Sequence, residues 1–146
     1  MKLASDSSIK KFFDENNKIV VIQADNPDGD SLASALAIGK ISESLGKDVY
    51  QYCAVNIASY LDYIKGYDTI TSELPLDFDA TIIVDASAKV LFEALEKSGK
   101  LAQIGTKPCL VIDHHSNECD LEFATVVYQK KAVSASQLVD EVAKII

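Results

Sequence analysis

The sequence predicts an α/β domain with a mainly parallel sheet of about five strands and helices on both faces. Two observations carry that expectation. Short apolar, β-branched runs recur along the chain, and segments with helical periodicity separate them. The runs are apolar at consecutive positions, as strands buried on both sides of a parallel sheet must be. No repeat, low-complexity tract or Pro/Gly-rich linker interrupts the alternation, so residues 1–146 read as a single domain.

In chain order, residues 7–16 form the first predicted helix. Ile9, Phe12 and Phe13 fall on one face, and Ser7 or Ser8 is the candidate cap. Residues 18–23 (KIVVIQ) give the first strand. Residues 30–45 give the best helix, with Leu32, Ala35, Leu36, Ile38 and Gly39 at helical spacing and Gly46 as a stop. Residues 48–54, 80–84 and 109–112 (DVYQYCA, ATIIV, CLVI) read as strands, and 123–128 (FATVVY) as a less regular one. Helices are expected at 88–97 and 134–145. Such units join through right-handed crossovers, and their ligands bind where strand carboxyl ends lead into helices.

Composition limits the function. Hydrophobic residues make up 48% and charged residues 25%, the balance of an ordinary globular chain. A net charge of −8 argues against a surface built to attract nucleic acid or anionic lipid, although a bound cation can still bring phosphate to a local site. Cys53, Cys109 and Cys119 form no CxxC pair, which fits a reducing, cytoplasmic setting. The polar N-terminus has no signal-peptide core, and no apolar run is long enough to span a bilayer.

Three acidic stretches follow three predicted strands. KIVVIQ leads into Ala24-Asp25-Asn26-Pro27-Asp28-Gly29-Asp30, ATIIV into Asp85-Ala86-Ser87, and CLVI into Asp113-His114-His115-Ser116-Asn117. Singly these are turns, caps or solvated loops. Together they bring carboxylates and the chain's two histidines to one end of the sheet. Carboxylates that converge repel unless a cation lies between them, and Asp with neutral imidazole suits Mn²⁺, Zn²⁺ or Fe²⁺, with Mg²⁺ as a harder alternative. Gly29 permits a tight turn between Asp28 and Asp30, and Asp30 is a candidate cap for the helix that follows. The tyrosines of residues 50–67 read as core packing, and Lys130-Lys131 as a solvated pair.

At these residues the chain resembles the DHH phosphoesterase superfamily. The triplet stands as Asp113-His114-His115. The motif His-x-x-Pro-Asp-Gly-Asp resembles residues 24–30, with Ala24 in the place of the His. The strand-terminal Asp resembles Asp85, and residues 133–138 resemble the Ser-rich helix start after the triplet. The nearest subgroup is similar to oligoribonucleases and nucleotide phosphatases. The resemblance implies Mn²⁺ or Mg²⁺, one ion or two, held by Asp28, Asp30, Asp85 and His114, with Asp85 bridging. His115 would contact the phosphate, Asp113 would orient the His pair, and a metal-activated water would attack. It implies a small nucleotide or short oligonucleotide as substrate, and a homodimer is compatible with it. Family members also carry a further Asp and a C-terminal substrate-binding domain beyond the part seen here. A non-catalytic nucleotide- or metal-binding module of the same fold is the alternative. Receiver-like and flavodoxin-like domains also place acids at strand ends, but they leave the His pair unexplained.

Overall fold

A computed structural model describes residues 2–146. Its strands are β1 (Lys2–Leu3), β2 (Lys18–Ile22), β3 (Asp48–Tyr52), β4 (Ile70–Thr71), β5 (Ala80–Val84), β6 (Cys109–Asp113) and β7 (Val126–Gln129). They form one seven-stranded sheet in the order β1-β7-β6-β5-β2-β3-β4, and every neighbouring pair is parallel. The two strands beyond the expected five are β1 and β4. Each has two residues and lies at an edge, too short to show any hydrophobic period.

The helices are α1 (Asp6–Glu15), α2 (Gly29–Ser44), α3 (Glu93–Lys97), α4 (Leu101–Ile104) and α5 (Ala135–Ile145). They cover both faces, because alternate strand residues point to opposite sides. Ile19, Val21, Ile82, Val84, Leu110 and Ile112 meet α1, α2 and α5 through Phe12, Phe13, Ala35, Ile38, Leu138 and Val142. Val20, Ile22, Ile83 and Val111 face the other layer, where Phe78, Phe92, Leu95 and Ile104 pack. On α2, an added Cβ at Gly39 would meet Gln51 Nε2 at 2.2 Å and push that amide aside. That amide donates to the Ala35 carbonyl at 3.0 Å and ties α2 to β3.

Two caps and one helix differ from the expectation. Ser5, not Ser7 or Ser8, caps α1 in a reciprocal box with Ser8. Asp28, not Asp30, caps α2 by accepting from Ser31 N at 3.0 Å. The helix expected over 88–97 is broken into a 3₁₀ turn at Lys89–Phe92 and the short α3, because the backbone leaves the helical region at Phe92 (φ −127°, ψ 28°).

The chain leaves β2 for β3 on one side, then returns past β2 to build β5, β6 and β7 on the other. The gap between β2 and β5 is therefore a topological switch point, the place where open α/β sheets form a crevice at the strand carboxyl ends.

Candidate metal centre

Each side chain of the centre is aimed by a strand end. Asp85 follows β5 directly and has φ 59°, the one positive value outside glycine among the described residues. Asp tolerates this left-handed backbone better than most residues, at a cost of order 1 kcal/mol. The Asp85 amide donates to the Ile112 carbonyl at 2.9 Å, which links the ends of β5 and β6. Asp113 ends β6, so His114 and His115 emerge beside Asp85.

His114 Nδ1 lies 3.2 Å from the Ala132 carbonyl oxygen. A carbonyl can only accept, so Nδ1 carries the hydrogen and Nε2 of the neutral ring presents a lone pair. That Nε2 faces Asp85 Oδ1 at 3.2 Å and Asp30 Oδ2 at 3.7 Å. Asp85 Oδ1 is itself buried and accepts no hydrogen bond. Two acceptors held face to face require a cation between them, either a proton or a metal ion. Ligands at right angles, each about 2.1 Å from one ion, stand about 3 Å apart, so the pair fits a divalent metal.

Asp85, His114 and His115 form a cluster whose ligand atoms lie within 4.8 Å of one another. Burial, then the Asp30 and Asp28 carboxylates, push the Asp85 carboxyl up to about 6. His115 Nδ1 meets Asp113 Oδ1 at 2.7 Å, and this bond raises the His115 pKa. The Asp113 carboxylate is fully buried and also bonds Ser87 Oγ and Gln129 Nε2. Asp113 thus orients His115, whereas the expectation had it orienting both histidines. His114 takes its orientation from the Ala132 carbonyl instead.

Asp30 lies near the cluster but is already engaged. Its Oδ2 accepts from Ala135 N at 2.8 Å and its Oδ1 from Ser136 N at 3.2 Å, so it caps the start of α5 from across the sheet face. Asp28 spends one oxygen on its helix cap. Asp25 turns away, and its Oδ2 accepts from Ala94 N at 2.7 Å at the start of α3. Ala24 is buried in the core, with its carbonyl near Cys53 Sγ at 3.5 Å.

Sequence reasoning missed Ser87, Asn117 and Gln129. Asn117 donates to Ser87 Oγ at 3.1 Å, and Gln129 Nε2 to the carbonyls of His115 and Asn117 at 3.0 and 2.7 Å. Ser87 and Asn117 sit within the quoted motifs, but Gln129 is brought in only by pairing of β6 with β7. Beside the histidines an open cleft of about 610 Å³ is lined by Asn117, Gln129, Lys130, Lys131 and Ala132 among others. Lys130 is not merely solvated, because Glu141 pairs with it.

The fold and motifs have relatives. An exopolyphosphatase-related protein from Bacteroides fragilis matches with a TM-score of 0.81 at 22% identity, over 94% of this chain and 42% of that one. The NanR protein of Vibrio vulnificus, complexed with ManNAc-6P, matches at 0.53 and 12% identity, over 96% of this chain and 53% of that one. A hypothetical protein from Methanococcus jannaschii, whose structure infers a 3-hexulose-6-phosphate isomerase function, matches at 0.51 and 17%, over 95% and 76%. At these identities the likeness is one of fold. The chain spans less than half the length of the exopolyphosphatase-related protein. No curated protein matches it. The family model described as DHH family, N-terminal domain, matches residues 18–145, and the chain belongs to that family.

Proposed function

We propose that this domain hydrolyses phosphate esters of small nucleotides or short oligonucleotides with a divalent cation, Mn²⁺ or Mg²⁺, held by Asp28, Asp30, Asp85 and His114. One observation carries the reading: Asp85 Oδ1, buried with no other partner, faces His114 Nε2 at 3.2 Å. When bound, such an ion neutralises phosphoryl oxygens and lowers the pKa of a water it holds.

The chain's own groups supply the rest. Asp85 and His114 are pre-aimed, so binding costs little reorganisation. His115 donates its Nδ1 hydrogen to Asp113, and in the protonated ring Nε2 carries a second hydrogen that can go to a phosphate oxygen. Its raised pKa favours the protonated ring, so Nε2 can donate to the leaving oxygen. Asp30 joins the centre to α5, so α5 is coupled mechanically to the site.

A second reading, a non-catalytic module that binds metal or nucleotide, is favoured by one observation. Where the family pattern has a histidine, Ala24 is packed in the core, and the adjacent Asp25 gives one oxygen to Ala94 N. Hydrolysis of a 5′-phosphorylated dinucleotide with Mn²⁺, beside Asp85→Asn, separates the two. Turnover lost in the variant supports the enzyme. Asp85-dependent Mn²⁺ binding without turnover supports the module, and neither turnover nor binding removes the metal centre.

A further inference from the structure

Two exposed tyrosines stand beside the Asp28-Gly29-Asp30 turn, and the phosphate chemistry gives them no task. Tyrosines of residues 50–67 are expected in the core. Tyr52 is there, at 1% exposure, but Tyr60 and Tyr63 are 68% and 75% exposed. Their exposure is built in. Leu61 lies between them, is buried and anchors the 3₁₀ turn Ser59–Leu61. The segment is closed by Asp62 N to Ser59 O at 3.1 Å and Ile64 N to Leu61 O at 3.0 Å. Tyr67 Oη donates to the Ile57 carbonyl at 3.4 Å and fastens the loop from the other end.

The rings stand at the centre's edge. A Cβ placed on Gly29 would lie 3.6 Å from Tyr63 Oη, so that hydroxyl hangs over the turn between Asp28 and Asp30. Tyr60 borders a hollow of about 460 Å³ together with Asp25, Asn26, Pro27, Asp28 and Asn56. A space of this size lies within the range of small-molecule sites and has room for a nucleobase.

Resting on the phosphoesterase reading above, we propose that Tyr60 and Tyr63 are a stacking platform for the nucleobase of the substrate whose phosphate sits at Asp85 and His114. Every base has a π-face, and stacking on an aromatic side chain tolerates any sequence. Asp25 and Asp28 in the same hollow repel a further phosphate, Asp28 can accept a hydrogen bond from an exocyclic amino group, and Asn26 and Asn56 offer carboxamides to a base edge. Inorganic polyphosphate has no apolar face to stack on the rings and is repelled by the carboxylates here. The platform selects nucleotides over inorganic phosphate chains.

The test compares adenosine 5′-monophosphate, ribose 5-phosphate and adenosine for binding to the Mn²⁺-loaded protein by calorimetry, with tyrosine emission as a second signal in a chain that has no tryptophan. The expected result is that the nucleotide binds about tenfold or more tightly than ribose 5-phosphate. Tyr60→Ala and Tyr63→Ala, both at exposed positions, should each weaken the nucleotide about five- to tenfold and leave ribose 5-phosphate unchanged, while Tyr60→Phe retains affinity. Equal binding of the nucleotide and ribose 5-phosphate overturns the platform and leaves the phosphate reading standing. So does nucleotide affinity indifferent to both alanine variants, which would assign the rim to a protein contact. Tyrosine-dependent adenosine binding with no gain from its phosphate keeps the platform and sinks the phosphoesterase reading. Binding of neither adenosine nor the nucleotide overturns both.

Discussion

The ends of β2 and β5 are neighbours in the sheet, both at the switch point, and both run into an aspartate within three residues. They are finished in opposite ways. At β2 the chain closes on itself: Ala24 packs into the core, and the Asp25 amide donates to the Leu91 carbonyl at 2.9 Å. Asp25 Oδ2 accepts from Ala94 N, while its Oδ1 is buried with no donor and no histidine beside it. At β5 the chain is held open. Asp85 has a left-handed backbone, a buried oxygen with no donor, and two histidines aimed at it. An acid at a strand end is structural when its charge meets amides. It is functional when the oxygen left without a donor faces other metal-ligating side chains, as Asp85 faces two histidines.

Removing the bare charge should give the largest effect. Asp85→Asn is expected to weaken Mn²⁺ binding about 100-fold or more, read by calorimetry. Without metal the same variant should be more stable. An aspartate whose folded pKa is raised, here to about 6, binds its proton more tightly folded than unfolded. Stability therefore falls as pH rises from about 4 to about 6, and the penalty is complete above that. Asp85→Asn should thus gain about 1–2 kcal/mol in urea unfolding at pH 7.5 and nothing near pH 4. A metal-free variant less stable than the wild type at pH 7.5 would break the comparison.

The next effect lies one residue group deeper. Asp113→Asn leaves Ser87 and Gln129 with an altered partner and should cost about 1–3 kcal/mol. It should also lower the His115 pKa, followed by NMR titration of the ring. A histidine with a raised folded pKa contributes stability below its unfolded pKa and loses it as pH rises through the folded value. The variant is therefore expected to lose more stability at pH 5.5 than at pH 8.5. An equal loss at both would detach Asp113 from the His115 charge.

Asp25→Ala tests the closed end. Ala94 N loses its acceptor at the start of α3, at about 1 kcal/mol, while Mn²⁺ affinity stays unchanged. A tenfold loss of Mn²⁺ affinity would mean that Asp25 belongs to the metal centre and that the two strand ends are alike.

How much of this contrast the sequence could carry follows from its length scale. β2, β5 and β6 were legible because each holds three or four consecutive apolar residues that need burial on both faces. The edge strands β1 and β4 were not, because two residues have no period. Asp85 and His114 were legible through strand ends and adjacency. The division of labour between Asp28 and Asp30 was not, since both are good caps two residues apart and only the packing of α5 against α2 commits Asp30 to Ala135 N. Gln129 enters by strand pairing, and the exposure of Tyr60 depends on which neighbour, Leu61, is drawn into the core.

The smallest expected change in stability comes from Asp28, which acts on both sides of the contrast. Its Oδ1 caps α2 through Ser31 N, and its charge also reaches Asp85. Asp28→Ser separates the two roles, because serine caps a helix about as well as aspartate but brings no charge. Urea unfolding should shift by less than about 0.5 kcal/mol. The Asp85 carboxyl should titrate lower once a neighbouring negative charge is gone. Mn²⁺ binding should weaken about tenfold. If affinity holds while the Asp85 titration moves, Asp28 acts on the centre only through its field, and the ligand set shrinks to the residues that β5, β6 and the first turn of α2 deliver.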